Sequence, residues 1–287
     1  MANLHNQFLK FEQAISLSLA KKKILITSRH ALENRIREHF KVHAKLLVPK
    51  FYIQGSYKMG TMVMDKKGTC DVDLGVYFLE EPNIQPISLQ KNLLAAVRSH
   101  TTSRGEHRDK CIRVKYKGDF DIDLPVYYKT PYDEHPFLAT KNGWIESDPK
   151  ELCDWFENCK DKNGQIIRLV KYFKSWSNRR NRKMPSGIAW TVWVVENYRP
   201  NCRDDRAFFE TAKAIEKNFG GGFVNTVAMN PATPQDNLLK LDFDQRTRFK
   251  EVFRYMLEEA EHALQTNSSK KALNIWKQQF GDKFPVI

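Results

Sequence analysis

Hydrophobic residues in the first fifty positions recur every three or four residues, which is the spacing of one face of a helix. A first series comprises Phe8, Phe11, Ile15 and Leu19, and a second comprises Leu32, Ile36 and Phe40. Ser28 precedes the second series, and serine is a favoured N-cap because its hydroxyl accepts a hydrogen bond from a free backbone N–H. We therefore predict two helices before residue 50, the second of them capped by Ser28.

The period then changes to two, which is typical of β-strands. Residues 51–54 form a short β-prone run, and residues 70–78 and 112–128 form two longer runs in which apolar and polar residues alternate. Each longer run has one apolar and one polar face, so both are predicted to be half-buried strands. A helix is predicted between them, after Ser88.

From Asp148 the pattern is helical to the end of the chain. Asp148-Pro149 with Glu151 is typical of a helix N-terminus, Ile166, Leu169, Val170, Phe173 and Trp176 form an apolar stripe, and Ser186 begins another helix. Residues 220–222 (Gly-Gly-Gly) are predicted to end a helix, 230–236 to be a loop, and 244–264 and 269–280 to be long helices. The predicted fold class is α+β: a lobe with N-terminal helices and a mixed sheet (1–165), a helical lobe (166–287) and a central cleft.

Composition and charge narrow the class of protein. The chain has 287 residues, 41% of them hydrophobic, and its 47 basic and 34 acidic residues give a net charge of +13. This excess favours a polyanionic partner such as nucleoside triphosphates or nucleic acid. The five cysteines form no CxxC pair, so we expect reduced thiols. No apolar run is long enough for a membrane span and the N-terminus resembles no secretory signal, so we expect a cytoplasmic protein with no membrane partner.

Four residues carry the first sign of chemistry. Asp71 and Asp73 are two positions apart on a predicted strand, which places both carboxylates on one face. Two such charges repel each other unless a cation lies between them. Gly55 and Ser56 follow the preceding strand and are suited to hold a phosphate, because glycine allows close backbone approach and serine offers a hydroxyl and an N–H.

A third carboxylate is available on the second alternating run. Asp119, Asp121 and Asp123 share its polar face, so the pattern alone does not identify which one completes the site. Three converging carboxylates can hold two Mg²⁺ or Mn²⁺ ions, one at the attacking hydroxyl and the other at the triphosphate and leaving pyrophosphate. Phosphoryl transfer from a triphosphate needs this positioning and charge neutralisation. The alternative for each aspartate is a turn or a solvated strand edge.

Two segments resemble a known family. Residues 51–73, with Gln-Gly-Ser-Tyr-Lys-Met-Gly-Thr followed by Cys-Asp-Val-Asp-Leu, resemble the signature of the polymerase-β-type nucleotidyltransferase superfamily. Residues 121–125 (Asp-Ile-Asp-Leu-Pro) resemble the late strand of its bacterial cGAS/DncV-like members. The resemblance implies the following catalytic and metal-binding residues: Asp71, Asp73 and Asp123. It also implies that Gly55 and Ser56 bind phosphate.

The helical half carries a looser resemblance. Residues 169–176 (Leu-Val-Lys-Tyr-Phe-Lys-Ser-Trp) resemble the family's K-x-W helix, and residues 185–188 (Pro-Ser-Gly-Ile) resemble the serine-initiated helix beside it. The resemblance implies that Lys174 and Ser186 contact the donor triphosphate, with Lys171 one turn away as a second candidate. An exposed helix face for the lysines and a plain N-cap for the serine are the alternatives.

The same resemblance implies a function. It predicts a monomeric bacterial enzyme that joins NTPs into a cyclic oligonucleotide, foremost a cyclic dinucleotide, in anti-phage (CBASS) signalling, where the product activates a separate effector protein. The zinc insertion of animal cGAS is missing from the sequence. The rivals are a template-independent RNA nucleotidyltransferase or polymerase and an RNA-binding pseudoenzyme, because the basic excess also suits RNA, either as substrate or as activator.

Overall fold

The structure is a computed structural model and describes residues 2–44, 47–219 and 227–285. Contacts divide the chain into two compact units. The sheet unit comprises Leu17–Met59 and Lys67–Asp154, and the helical unit comprises Met1–Ser16, Gly60–Lys66 and Trp155–Ile287. Each unit is assembled from separate chain segments, whereas the sequence analysis placed one boundary at residue 165.

The sheet unit is built around a mixed sheet. Its strands are β1 (Lys50–Gln54), β2 (Asp71–Phe78), β3 (Glu106–His107), β4 (Ile112–Tyr116), β5 (Phe120–Leu124), β6 (Val126–Tyr128), β7 (Phe137–Thr140) and β8 (Gly143–Glu146). They follow the order β3-β4-β5-β2-β6-β7-β8, and β1 also pairs with β2. β2 is central because it pairs antiparallel with β1 and parallel with both β5 and β6.

The helices account for most of the remaining chain. They are α1 (His5–Ile15), α2 (Leu19–Glu38), α3 (Gly55–Lys58), α4 (Pro86–Val97), α5 (Pro149–Cys159), α6 (Gln165–Asn178), α7 (Gly187–Glu196), α8 (Asp204–Lys217), α9 (Phe243–Gln265) and α10 (Ser269–Phe280). A π-helical turn, His39–His43, continues α2. The α+β fold class is confirmed. Among the described helices, none combines the length and the apolar character that crossing a bilayer requires.

The second helix begins earlier than predicted. Its N-cap is Ser18, whose hydroxyl accepts a hydrogen bond from the N–H of Lys21 (3.3 Å), and Ser28 lies inside the helix. The prediction of Ser28 as the cap was therefore wrong. Leu19, assigned to the first apolar stripe, is 78% exposed, because α1 ends at Ile15 and Leu19 opens the next helix.

The alternating run over 112–128 is not one strand, as predicted, but β4, β5 and β6. Gly118, with a φ of 85°, lies in the turn between β4 and β5. Pro125 separates β5 from β6, since proline has no N–H for the ladder. Asp119 therefore lies in the turn, where it pairs with Lys21 (3.7 Å), and not on a strand face with the other aspartates.

The helical unit has an aromatic core. The predicted stripe on α6 is buried, and Phe173 stacks on Phe208 and on Trp190, with ring centroids 4.5 and 5.2 Å apart. The predicted loop over 230–236 was wrong, because this segment belongs to an antiparallel pair, β9 (Met229–Asn230) and β10 (Thr233–Asn237). Pro234 fits there, since a two-stranded hairpin leaves open edges that need no N–H. Residues 220–222, predicted to end a helix, lie outside the described residues.

Candidate active site

Asp73 and Asp123 are paired neighbours in the sheet. β2 and β5 run parallel, and their register sets Asp71 beside Asp121 and Asp73 beside Asp123. Neighbouring strands lie about 4.8 Å apart and side chains alternate between faces, so these four aspartates project from one face of the sheet. The register confirms that a later strand brings further carboxylates beside the Asp-x-Asp pair.

β1 brings Gly55 and Ser56 next to these carboxylates. It pairs antiparallel with β2, with Gln54 opposite Asp73, and α3 begins at Gly55 directly afterwards. Gly55 has a φ of 63°, and a Cβ at this position would lie 2.3 Å from Oδ2 of Asp73. Glycine is therefore needed both for the backbone conformation and for the close approach of the carboxylate.

A buried polar network fixes Gln54, the residue before the Gly-Ser turn. Its amide donates a hydrogen bond to the hydroxyl of Tyr127 (3.1 Å), and its side-chain oxygen accepts one from the hydroxyl of Tyr77 (3.3 Å). The two rings stack at 4.6 Å, and burial raises the pKa of both phenols, so they remain protonated. Gly75 leaves room for the network, since a Cβ there would lie 2.5 Å from Oε1 of Gln54.

Arg113 on β4 bonds three of the four carboxylates. Its Nε and Nη2 donate to both oxygens of Asp123 (2.7 and 2.6 Å), Nη2 also reaches Oδ2 of Asp71 (2.9 Å), and Nη1 reaches Oδ2 of Asp121 (3.2 Å). Arg113 lies opposite Asp123 in the β4–β5 register, and its side chain is 11% exposed. The planar guanidinium suits this bidentate arrangement.

Sequence reasoning missed Arg113. The alternation of polar and apolar residues could have identified it, because Arg113 lies two positions before Lys115 on the polar face of the 112–128 run. What the pattern did not show was the hairpin, which turns β4 back along β5 and sets Arg113 opposite Asp123. The glutamine-tyrosine network around Gln54 was missed for the same reason, since its members come from three different strands.

The pKa values of neighbouring groups follow these contacts. The hydrogen bond to Asp123 raises the pKa of Arg113, which remains a cation. Burial raises the pKa of Asp121, against the opposing effect of Arg113. Burial, together with Asp123, raises the pKa of the Cys111 thiol to about 12.

The donor set fits divalent metal ions. Asp71, Asp73 and Asp123 offer carboxylate oxygens, which are the ligands that Mg²⁺ and Mn²⁺ prefer. Oxygens from the three side chains do not all lie within 4.8 Å of one another. Side-chain rotation about their χ angles can close this spacing, because the strand register already brings the three backbones together.

Another group of potential ligands has a structural explanation. The ligand atoms of His135, Asp148 and Glu151 lie within 4.8 Å of one another. Oδ1 of Asp148 accepts a hydrogen bond from the N–H of Glu151 (2.9 Å), which confirms the predicted N-terminal cap of α5. Nδ1 of His135 lies 3.6 Å from Asp148 and 3.4 Å from Glu151.

Lys174 and Ser186 both lie in the helical unit, at neighbouring points of α6 and α7. The ammonium of Lys174 is buried and donates to Oγ1 of Thr61 (3.0 Å). A Cβ on Gly187 would lie 3.2 Å from Cε of Lys174, which places this lysine against the first turn of α7. Ser186 is the N-cap of α7, accepting from the N–H of Ala189 (3.2 Å), and it is itself exposed.

Lys171, one turn before Lys174, makes an ion pair within the helical unit. Its Nζ lies 2.5 Å from Oε1 of Glu12 and 3.0 Å from Oγ of Ser16. Burial raises the pKa of Glu12, but the hydrogen bond and charge of Lys171, with the hydrogen bond from Ser16 and the charge of Arg168, together leave that pKa below its usual value. The contact joins α6 to α1, so Lys171 has a structural partner in place.

Comparisons with known proteins agree with this geometry. Residues 49–127 match a domain family described as "Cyclic GMP-AMP synthase DncV-like, nucleotidyltransferase domain". A cyclic GMP-AMP synthase of Escherichia albertii is 33% identical over 230 residues, which cover 74% of this chain and 49% of that protein. A cyclic AMP-AMP-AMP synthase of an Acinetobacter strain is 24% identical over 273 residues, covering 88% of this chain and 78% of the relative.

Solved structures show the same fold. Vibrio cholerae DncV in complex with nonhydrolyzable GTP has a TM-score of 0.85 at 19% identity, over 99% of this chain and 97% of that one. The Bradyrhizobium diazoefficiens CD-NTase CdnG in complex with GTP has a TM-score of 0.81 at 14% identity, over 96% and 95%.

The fold and the facing carboxylates define a nucleotidyltransferase architecture. Within that class, residues 49–127 match the DncV-like nucleotidyltransferase domain, which is the family that residues 51–73 and 121–125 resemble. It spans about half the length (49%) of the Escherichia albertii relative.

Proposed function

We propose that this protein joins nucleoside triphosphates into a cyclic oligonucleotide, foremost a cyclic dinucleotide, with the help of two divalent metal ions. The observation that carries the proposal is the register that sets Asp73 beside Asp123 while β1 delivers Gly55 against Asp73. Relatives described as cyclic GMP-AMP and cyclic AMP-AMP-AMP synthases support the class of product.

The sheet unit supplies the metal ligands and a phosphate-binding turn. In this proposal Asp71 and Asp73 would hold both ions or the ion on the triphosphate side, and Asp123 would hold the ion at the attacking hydroxyl and assist the deprotonation of that hydroxyl. Bound divalent ions neutralise the triphosphate and lower the pKa of the attacking hydroxyl. Ser56 donates its hydroxyl to a phosphate oxygen, and Gly55 lets the phosphate approach the backbone closely.

The helical unit supplies further phosphate ligands in the same proposal. Lys174 and Ser186 are assigned to the donor triphosphate on the strength of the family resemblance and of their adjacency at the start of α7. Lys171 is the second candidate for contacting the donor triphosphate, because its ammonium is already bonded to Glu12 and Ser16. A lysine ammonium near a triphosphate oxygen adds charge neutralisation without requiring a fixed geometry.

Product analysis tests the proposal directly. The protein is incubated with each NTP and each pair of NTPs, with Mg²⁺ or Mn²⁺, and the products are treated with phosphatase and identified by mass spectrometry. We expect a small phosphatase-resistant product, because a cyclic oligonucleotide has no terminal phosphate. Excess EDTA should abolish its formation. Linear products that phosphatase degrades, or no product with any combination of NTPs, would contradict the proposal.

A template-independent RNA nucleotidyltransferase is the second candidate, favoured by the net charge of +13. The same incubation with an added RNA primer separates the two, since an RNA-extending enzyme lengthens the primer. An RNA-binding protein without activity, or an RNA activator on the basic surface, is tested by a gel shift with the variant Asp71→Ala, Asp73→Ala. Binding that survives this substitution is independent of catalysis.

The biological setting is proposed from the family. A monomeric enzyme in the bacterial cytoplasm would draw on the NTP pool, and its product would activate a separate effector protein in anti-phage signalling. Extracts of phage-infected cells that express the protein should contain the cyclic product, and extracts with Asp123→Ala should not. Size-exclusion chromatography with light scattering determines whether the active species is the monomer.

A further inference from the structure

Arg113 uses the same oxygen atoms that the proposed metal ions would need. Its guanidinium bonds both oxygens of Asp123 and Oδ2 of Asp71, all within 3.0 Å. A fourth hydrogen bond, to Oδ2 of Asp121 (3.2 Å), completes a cluster in which one cation faces three carboxylates. The side chain is 11% exposed, so water screens these contacts only in part.

The spacing of the carboxylates suits the guanidinium of Arg113, which is larger than a divalent metal ion. A guanidinium spreads its positive charge over three nitrogens, whereas a divalent ion holds its oxygen ligands at about 2.0 to 2.2 Å. The oxygens of Asp71, Asp73 and Asp123 do not all lie within 4.8 Å of one another. Asp123 and Asp71 must therefore turn from the guanidinium before they share an ion with Asp73.

We propose that Arg113 is a counter-ion that competes with divalent metal for Asp123 and Asp71, and so sets the metal affinity of the site. This inference rests on the proposed function, because it takes these aspartates as metal ligands. Arg113 stabilises four clustered negative charges, and it weakens metal binding until its bonds to Asp123 are exchanged. Once released, the guanidinium remains beside the site, where phosphate oxygens of a bound triphosphate are its natural acceptors.

The competition predicts opposite effects of one substitution on two measurements. Removing the charge by Arg113→Gln takes away the cation that bonds Asp71, Asp121 and Asp123, so the thermal midpoint without added metal should fall. The same change should tighten binding of Mn²⁺, because the ion no longer displaces a guanidinium, and we expect an affinity about tenfold higher. A residue that merely orients Asp123 would instead lose metal affinity when it is replaced.

The experiment titrates the full chain with Mn²⁺ alone and follows free Mn²⁺ by electron paramagnetic resonance. Arg108→Gln is the matched control, since it also removes one arginine charge, but from an exposed side chain that pairs with Glu106. Its Mn²⁺ affinity should stay close to that of the unchanged protein. Asp123→Asn tests whether the Mn²⁺ binds at this site, because it should weaken Mn²⁺ binding both with Arg113 present and in Arg113→Gln.

A second variant keeps the inference falsifiable if Arg113→Gln does not fold. Arg113→Lys retains the charge but cannot bond both oxygens of Asp123 and reach Asp71 together. Its Mn²⁺ affinity should therefore lie between that of the unchanged protein and that of Arg113→Gln. An unchanged or weaker Mn²⁺ affinity in the Arg113 variants overturns the proposal, and so does the absence of Mn²⁺ binding in every variant. A protein that makes no cyclic product, yet binds Mn²⁺ more tightly without Arg113, would refute the proposed function alone.

Discussion

The carboxylate of Asp73 lies against the backbone of Gly55, so closely that a Cβ at position 55 would stand 2.3 Å from Oδ2. Gly55 also has a φ of 63°, where L-residues with a side chain are strained by roughly 1–2 kcal/mol. Asp73 lies on β2, and Gly55 directly follows β1, the strand that pairs antiparallel with β2. The proposed phosphate-binding turn and a proposed metal ligand are thereby fixed relative to each other within the sheet unit.

This contact predicts the result of Gly55→Ala. The added methyl group must displace the Asp73 carboxylate, and misplacing a ligand by about 1 Å costs on the order of 100-fold in rate. Gly118→Ala is the matched control, because Gly118 has a φ of 85° but nothing within 4 Å of an added Cβ. Both variants should lose similar stability in urea denaturation, while kcat falls only in Gly55→Ala. Equal losses of kcat would argue against a special role of Gly55.

The aspartates of the β4–β5 hairpin should differ sharply in importance. Asp123→Asn should reduce turnover by about 100-fold or more, because it removes a charged ligand beside Asp73. Asp119→Asn should leave turnover near normal, since Asp119 lies in the turn and pairs with Lys21. Initial rates with Mg²⁺ and saturating NTPs measure both. A larger loss in Asp121→Asn than in Asp123→Asn would move the third ligand to Asp121.

The two lysines of α6 are separated by kinetics and stability. Lys174→Met should raise KM for the NTPs and lower kcat/KM, if its ammonium contacts the triphosphate as proposed. Lys171→Met should act mainly on stability, by about 1–3 kcal/mol, because Glu12 loses the hydrogen bond from its ammonium. Thr61→Val controls for Lys174, since it removes a hydroxyl bonded to Lys174 while the charge stays. An unchanged KM in Lys174→Met would return this lysine to a structural role.

Asp204 predicts a pH dependence of stability in the helical unit. It is fully buried, and burial raises its pKa, but bonds from Arg168, Gln165 and Tyr172 outweigh this and leave the pKa below its ordinary value. A depressed carboxyl pKa stabilises the fold above the ordinary aspartate value near pH 4, and this contribution is lost as the pH falls through the lower, folded-state pKa.

Asp204→Asn should therefore destabilise the protein by about 3 kcal/mol at pH 7, because it leaves Arg168 without its partner. The difference from the unchanged protein should shrink as the pH falls below about 4. Urea denaturation across this range measures it. Asp236→Asn, which breaks an exposed pair with Lys240, should change stability by less than about 1 kcal/mol at any pH. A difference in unfolding free energy between Asp204→Asn and the unchanged protein that widens in acid would contradict a lowered pKa of Asp204.

Local sequence patterns predicted the strand that carries Asp71 and Asp73, the stripe on α6, the caps Asp148 and Ser186, and the resemblance to cGAS/DncV-like nucleotidyltransferases. These features are local, since alternation, helical spacing and capping depend on residues a few positions apart. Prediction failed where local signals competed, as at Ser28, which is a good cap in isolation but lies within a helix already begun at Ser18.

Which aspartates meet depends on how the strands pair in the folded protein. The hairpin at Gly118 removes Asp119 from the site, and the parallel pairing of β2 with β5 chooses the neighbours of Asp71 and Asp73. Strand register depends on residues about fifty positions apart, so no periodicity along the chain encodes it. The same long-range pairing sets Arg113 among the carboxylates, because charges that are distant in sequence become neighbours only when the sheet has formed.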